Sequence, residues 1–217
     1  MFTHRLIRPE MLDHVSPEEA RPNLQDLVRI NRYFGGHSVI LKTLNQAARP
    51  SDAFSLLDIG AASGDTARTI QAAFPSASVV SLDYHETNLS AAPYPKVLGD
   101  AFRLPFPPNS FDYVLCSLFL HHFQDEQVVD LLRSFHAIAR KALVVCDLER
   151  HIVPYLFLPA TRLLFGWHKI TVHDGIISVR AAFKREELDQ LARKAGIKNL
   201  QIQGYRPAFR IALLATK

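Results

Sequence analysis

Three carboxylates each close an apolar run: Asp58 in SLLDIG, Asp83 in VVSLDY and Asp100 in KVLGDA. Between the first two lies Gly60-Ala61-Ala62-Ser63-Gly64, a loop of small residues that opens a helical stretch. Small residues let a backbone approach a ligand closely, and the free N–H groups of a helix start can bind an anionic group. Asp83 stands 23 residues after Gly60, a spacing at which a carboxylate can accept hydrogen bonds from both ribose hydroxyls, as in dinucleotide-binding folds. The chemistry implied is recognition of an adenosine-type ligand. The loop matches neither G-x-G-x-x-G nor G-x-x-x-x-G-K-[ST], so it is not a phosphate cradle. Asp58 and Asp65 flank it; two acids would repel a pyrophosphate and suit a cation bearing an amino group and a sulfonium.

A second set of residues could move a proton. His121 and His122 follow an apolar run in SLFLHHF, and either could act as general base on a hydroxyl or phenol. The competing reading is that they orient the loop or cap the helix that starts near Gln124. No third ligand is spaced nearby, so no metal is expected. His173, in His173-Asp174-Gly175, is a further candidate base, although adjacent side chains seldom face each other. Arg32 and Arg180 could bind an acidic substrate or serve as surface and capping cations. Cys116 and Cys146 each sit in an apolar run; they read as small buried hydrophobes, leave no disulfide framework, and fit a reducing cytoplasm.

Positioning these groups requires an alternating set of elements. Apolar residues from 23 to 48 recur at helical spacing and are broken by Gly35-Gly36, which predicts two helices. Strands are expected at 54–59, 78–82, 96–98, 111–117 and 142–146, with helices at 65–74 and 124–140 between them. Continuous apolar strands alternating with helices indicate a mostly parallel sheet covered on both faces. After it come an apolar helix interrupted by Pro159, a helix at 184–194, and strands at 200–203 and 209–215 whose short connection favours an antiparallel hairpin. The fold class is therefore α/β: one Rossmann-like, doubly wound sheet with a C-terminal antiparallel hairpin and a helical N-terminal cap. The expected division is a cap over 1–50 and a main domain over 51–217, with 151–183 as a substrate cap.

With 217 residues, of which 48% are hydrophobic and 21% charged, one ordinary core is expected, and disorder and fibrous repeats are excluded. The net charge of +4 is uneven. Residues 1–150 hold 14 Lys and Arg against 17 Asp and Glu (−3), and residues 151–217 hold 11 against 4 (+7). No run of five like charges occurs, so charge alone does not make a nucleic-acid binder. The N-terminal residues lack the apolar core of a signal peptide. The most apolar stretch, 154–167, is shorter than the roughly 20 residues a spanning helix needs. Its aromatics Tyr155, Phe157, Phe165 and Trp167 suggest either core packing or a hydrophobic lid.

The segments Asp58-Ile-Gly60-Ala-Ala-Ser-Gly64, Leu82-Asp83, Gly99-Asp100-Ala101 and Ser110-Phe-Asp112-Tyr-Val-Leu-Cys-Ser117 resemble, in this order, class I S-adenosylmethionine-dependent methyltransferases. With RINRYFGG and VHDGIISVRAAF, the whole chain is similar to bacterial small-molecule methyltransferases, some found beside polyketide synthases. The resemblance implies S-adenosylmethionine as cofactor and S-adenosylhomocysteine as product. It places Gly60, Ala62 and Gly64 along the methionine end, with Asp58 reaching the amino group through water. Asp83 would hold the ribose and Tyr84 pack on the adenine, whose edge Asp100 and Ala101 would read; Ser117 would sit beside the sulfonium. Ala62 departs from the family's glycine, and its methyl group narrows the loop.

The expected activity is methyl transfer to a small aromatic or apolar acceptor, most simply at oxygen. A nucleic-acid methyltransferase is a competing reading. Such amino-methylating enzymes usually carry a polar residue, two prolines and an aromatic after the fourth strand, where this chain has Ser117-Leu118-Phe119-Leu120. An NAD(P)-dependent oxidoreductase lacks support in the loop, and a non-catalytic cofactor-binding module is kept in play by Ala62.

Overall fold

The computed structural model describes residues 2–217; Met1 and the side chains of Asp13 and Pro17 lie outside that description. A seven-stranded sheet runs through the molecule in the order β3-β2-β1-β4-β5-β7-β6. Its strands are β1 (Phe54–Ile59), β2 (Ala77–Asp83), β3 (Lys96–Leu98), β4 (Phe111–Ser117), β5 (Ala139–Leu148), β6 (Leu200–Tyr205) and β7 (Arg210–Thr216). The first five pair in parallel, and β7 runs antiparallel to both β5 and β6. The chain leaves β1 toward β2 on one side and resumes on the other side with β4. The carboxyl ends of β1 and β4 therefore form the switch point at which open α/β sheets bind ligands.

Period-two alternation sends neighbouring apolar residues to opposite faces. Leu57, Ile59, Val114, Cys116, Val145 and Leu213 pack on one face with α5 (Asp125–Ile138) and α8 (Arg185–Lys194). Leu56, Tyr113, Leu115, Val144 and Leu214 pack on the other with α2 (Gly36–Leu44) and α3 (Asp65–Ala73). Both faces being covered is why these strands are apolar throughout rather than alternating with polar residues. Cys116 and Cys146 are buried free thiols in that core. Burial pushes the first well above its ordinary range and the second up to about 12.

The helix pair expected across Gly35-Gly36 is α1 (Pro17–Tyr33) followed by α2. Gly35 takes φ +92, and a Cβ there would lie 2.5 Å from that of Ala208, so the break is both conformational and steric. The α1 helix begins six residues before the apolar spacing suggests, because Ser16 and Glu19 form a capping box ahead of it. Three other expectations shift. The helix expected to run through Arg140 ends at Ile138, and β5 begins at once. Pro159 does not interrupt α6 (Ile152–Phe165), which continues through it. The sequence pattern assigns no element around His173, where the structure has a full helix, α7 (Lys169–Ala181). That helix was hard to read because its apolar residues do not gather on one stripe.

Candidate active site

Above the switch point lies one large cavity of about 1080 Å³. Gly60, Ala62, Asp83, Tyr84, Asp100 and Ala101 line its β1–β3 end, and Leu118, Phe119, His121 and His122 line the side beyond β4. The loop after β1 makes a tight turn that suits its glycines. Gly60 has φ +72, and a Cβ there would lie 2.5 Å from the Phe119 ring. Gly64, at φ +69, caps α3 in left-handed geometry against Pro93 and Ala92. Ala62 also adopts positive φ, at 45°, a strained state for a residue with a Cβ.

Asp83 is held on both oxygens. Its Oδ2 accepts the Ala62 N–H at 2.8 Å and its Oδ1 the His85 N–H at 2.9 Å. A carboxylate has about four acceptor positions, so two remain for a diol. Asp100 is fixed by accepting the Phe102 N–H at 2.9 Å. Tyr84 is largely exposed and meets His85 edge-on. Asp58 is almost wholly buried, and among the described residues its Oδ2 has no hydrogen-bond partner. Burial, then the charges of Asp83 and Asp65, push its carboxyl up to about 8. A cationic amino group would relieve that cost. Asp65 itself is engaged by His37 of α2, Nε2 to Oδ2 at 2.6 Å, a partnership with no local sequence signal. The orphaned oxygen, the glycine turn and the half-used Asp83 together fit an adenosyl cofactor bearing an amino group.

Not every expected residue reaches the wall. Asp58 and Gly64 stand behind it, and Ser117 is half-buried at the end of β4 while Leu118 lines the cavity in its place. Leu118 takes φ 52 and donates its N–H to the Cys146 carbonyl, which turns the chain over the sheet edge. His173 is not a lining residue. Its ring bonds to the adjacent Asp174, Nδ1 to Oδ1 at 2.8 Å, so these neighbours do meet. Asp174 lines the cavity and accepts the backbone N–H groups of Met11 and Leu12. Arg32 and Arg180 lie over the rings of Tyr33 and Phe2.

The acid–base groups beyond β4 form a dyad. His121 Nδ1 lies 2.6 Å from Asp147 Oδ1, and both side chains are buried. Burial alone would lower the imidazole pKa; the charge and hydrogen bond of Asp147 overcome it, and the net direction is upward. His122 moves the other way, downward, through partial burial and then the neighbouring His121, its side chain remaining 34% exposed. The two rings lie with centroids 4.2 Å apart, so a charge on one disfavours a charge on the other. With Nδ1–H bound to Asp147, a neutral His121 presents its lone pair on Nε2. The sequence reading missed Asp147, although it ends β5 in VVCDL just as Asp58, Asp83 and Asp100 close their own runs. It also found no third group near the histidine pair. The fold supplies Glu10: donor atoms of Glu10, His121 and His122 lie within 4.8 Å of one another. Ser178 Oγ donates to Glu10 Oε1, which is 3.9 Å from His122 Nδ1.

Known proteins place the fold. Residues 57–143 match the family described as a methyltransferase domain. A search of curated proteins returned no match. A SAM-dependent methyltransferase from Aquifex aeolicus superposes with TM-score 0.66 at 13% identity, over 93% of this chain and 98% of that one. The plantazolicin methyltransferase, solved with S-adenosylhomocysteine, gives 0.69 at 15% over 92% and 89%. A candidate O-methyltransferase from Nostoc punctiforme gives 0.62 at 18% over 84% of this chain, which spans 56% of that longer protein. The family match spans residues 57–143, and the fold of the chain is the one these methyltransferase structures share. Among the described residues no helix is long and apolar enough to cross a membrane.

Proposed function

We propose that the chain transfers a methyl group from S-adenosylmethionine to an oxygen of a small aromatic or apolar acceptor, with His121 removing the acceptor's proton. The observation that carries this reading is the buried His121–Asp147 pair on the wall of a cavity that also holds Gly60, Asp83 and Asp100. S-adenosylmethionine, held by Gly60, Ala62, Asp83 and Asp100, would supply a methyl carbon on a sulfonium, from which sulfur leaves with the carbon–sulfur pair as the acceptor oxygen takes the methyl group. This displacement needs positioning and, for a hydroxyl, loss of a proton. His121 Nε2 accepts that proton, and Asp147 orients the ring and stabilises the imidazolium. His122, kept neutral, leaves the proton on His121.

The rest of the cavity supports an apolar acceptor. Leu24, Leu27, Phe34, Val153, Phe157 and Leu158 are also lining residues. Phe34 packs edge-on to Phe157 and Phe165 with centroids 4.9 and 5.6 Å apart. In this reading residues 1–50 form a helical cap over the cavity, 151–183 cap the acceptor, and 51–217 is the catalytic domain. His173 is given no step. A role in small-molecule biosynthesis and a cytoplasmic location, in keeping with two protonated buried thiols, belong to the same reading. The test is incubation with S-adenosylmethionine and a panel of phenols and aliphatic alcohols, following S-adenosylhomocysteine and the methyl ether by mass spectrometry. Methyl ethers from wild type but not from His121→Ala are expected; N-methyl products from amine acceptors alone would overturn the oxygen assignment.

A further inference from the structure

Arg210 opens β7 with its side chain in the cavity wall and is only 4% exposed. Among the described residues no hydrogen bond or ion pair engages its guanidinium, and its buried Nε has no partner. Asp147 is the carboxylate whose charge acts on it, and Asp147 is committed to His121. An arginine cannot shed its charge to escape burial as a lysine can. A buried charge without a fixed partner is costly, and a ligand that supplies the partner removes that cost.

The other cavity cations are provided for. Arg206 pairs with Glu149 at 2.8 Å, and Lys42 is exposed to solvent. Arg210 is also in the wrong place for the cofactor's nucleoside. It pairs across the sheet with Leu148, and β7 is three strands from β1 and four from β2. At the usual spacing between strands this is about 14 and 19 Å. It stands instead at the carboxyl edge of β5, on the same strand end as Asp147, in the wall of the cavity that His121 also lines.

We infer that Arg210 is an anion subsite of the acceptor pocket, and that the acceptor is an amphiphile carrying a carboxylate on its apolar body. The carboxylate pairs with the guanidinium, whose planar fork matches it in bidentate geometry, while the hydroxyl faces His121. This deepens the reading above and rests on it for the position of the acceptor, but its test reads binding rather than turnover.

The probes are 6-hydroxy-2-naphthoic acid and its carboxamide, alike in shape and different in charge, titrated by fluorescence into the full chain saturated with S-adenosylhomocysteine. Wild type is expected to bind the acid at least tenfold more tightly than the amide, Arg210→Met to lose that preference, and Arg210→Lys to keep part of it. The Kd for S-adenosylhomocysteine stays unchanged in all three. Arg210→Met is also expected to raise Tm, since it replaces an uncompensated buried charge with an apolar side chain. Equal binding of acid and amide by wild type overturns the inference. So does a retained preference in Arg210→Met, or a tenfold fall in S-adenosylhomocysteine affinity, which would assign the arginine to the cofactor's own carboxylate. A lowered Tm with the preference intact in Arg210→Lys and Arg210→Met would make the residue structural and overturn it too. Acid-selective binding without methylation would leave the subsite standing and defeat the oxygen-methylation reading alone.

Discussion

The two ends of the cavity are built in opposite ways. At the β1–β3 end each functional carboxylate ends its own strand or follows it closely, and the groups that hold Asp83 come from residues 62 and 85. At the other end Glu10, His121, Asp147 and Arg210 come from four distant parts of the chain. The first end is a local device that recurs wherever a strand runs into a small-residue loop. The second exists only when the whole tertiary structure is assembled, so it is where individual proteins of this fold can differ in acceptor.

If the division is real, mutations should separate turnover from cofactor binding. The largest effect is expected for His121→Ala, a loss in kcat of about 10²–10⁴-fold, the usual worth of a positioned general base, with S-adenosylhomocysteine affinity unchanged in calorimetry. Asp147→Asn should follow it and also shift the pH profile. The raised pKa of His121 means that activity rises with pH along a limb centred above the ordinary histidine value. Removing the Asp147 charge lets burial prevail and moves that limb to lower pH. An unmoved limb in a folded variant would take the base role from His121. At the other end Asp83→Ala should cost about 1–3 kcal/mol of cofactor affinity, with acceptor binding untouched. Affinity equal to wild type would remove the basis for the nucleoside assignment.

A smaller effect tests Asp58. Its carboxyl, raised to about 8, holds a proton at pH 7, and a cationic cofactor nearby pulls the pKa down. Binding of S-adenosylmethionine at pH 7 should therefore release about one proton, and release should fade as pH rises past 8, where the group is already ionised. Calorimetry in buffers of different ionisation enthalpy reads this directly; uptake or no exchange would mean that Asp58 does not sense the ligand. The smallest effect is at Ala62. Glycine there removes the strain of φ 45° but adds unfolded-state entropy, so Ala62→Gly should change stability by under about 1 kcal/mol and leave cofactor affinity equal or better. A tenfold loss of affinity would show that the methyl group is part of the site.

The same contrast explains what could be read in the sequence. The parallel sheet, its hairpin and the strand-end acids were legible because apolar runs, loop chemistry and carboxylates are adjacent in the chain. Asp147 was legible in principle, as a further acid closing a strand, and so was Arg210, a lone cation opening an apolar one. Glu10 was not: nothing around it signals that it will meet His122, and its placement depends on Asp174 binding Met11 and Leu12 and on Ser178 donating to it. Ser117 failed to reach the wall because Leu118 turns the chain through a left-handed conformation, a backbone event no side-chain pattern announces.

The N-terminal segment 2–14 lies as a strap against residues 174–183 and also sets an order of events during synthesis. Arg5 donates to the Ala181 carbonyl, Leu6 to that of Arg180, and the Arg5 guanidinium lies over the Phe183 ring. These partners are as many as 176 residues apart. At about 5–20 residues per second, the ribosome makes the strap roughly 9–35 s before the surface it docks on. The β1–β3 end can be complete and competent for its nucleoside while the strap still waits, so a nascent chain would hold its cofactor site before it has any acceptor site to serve.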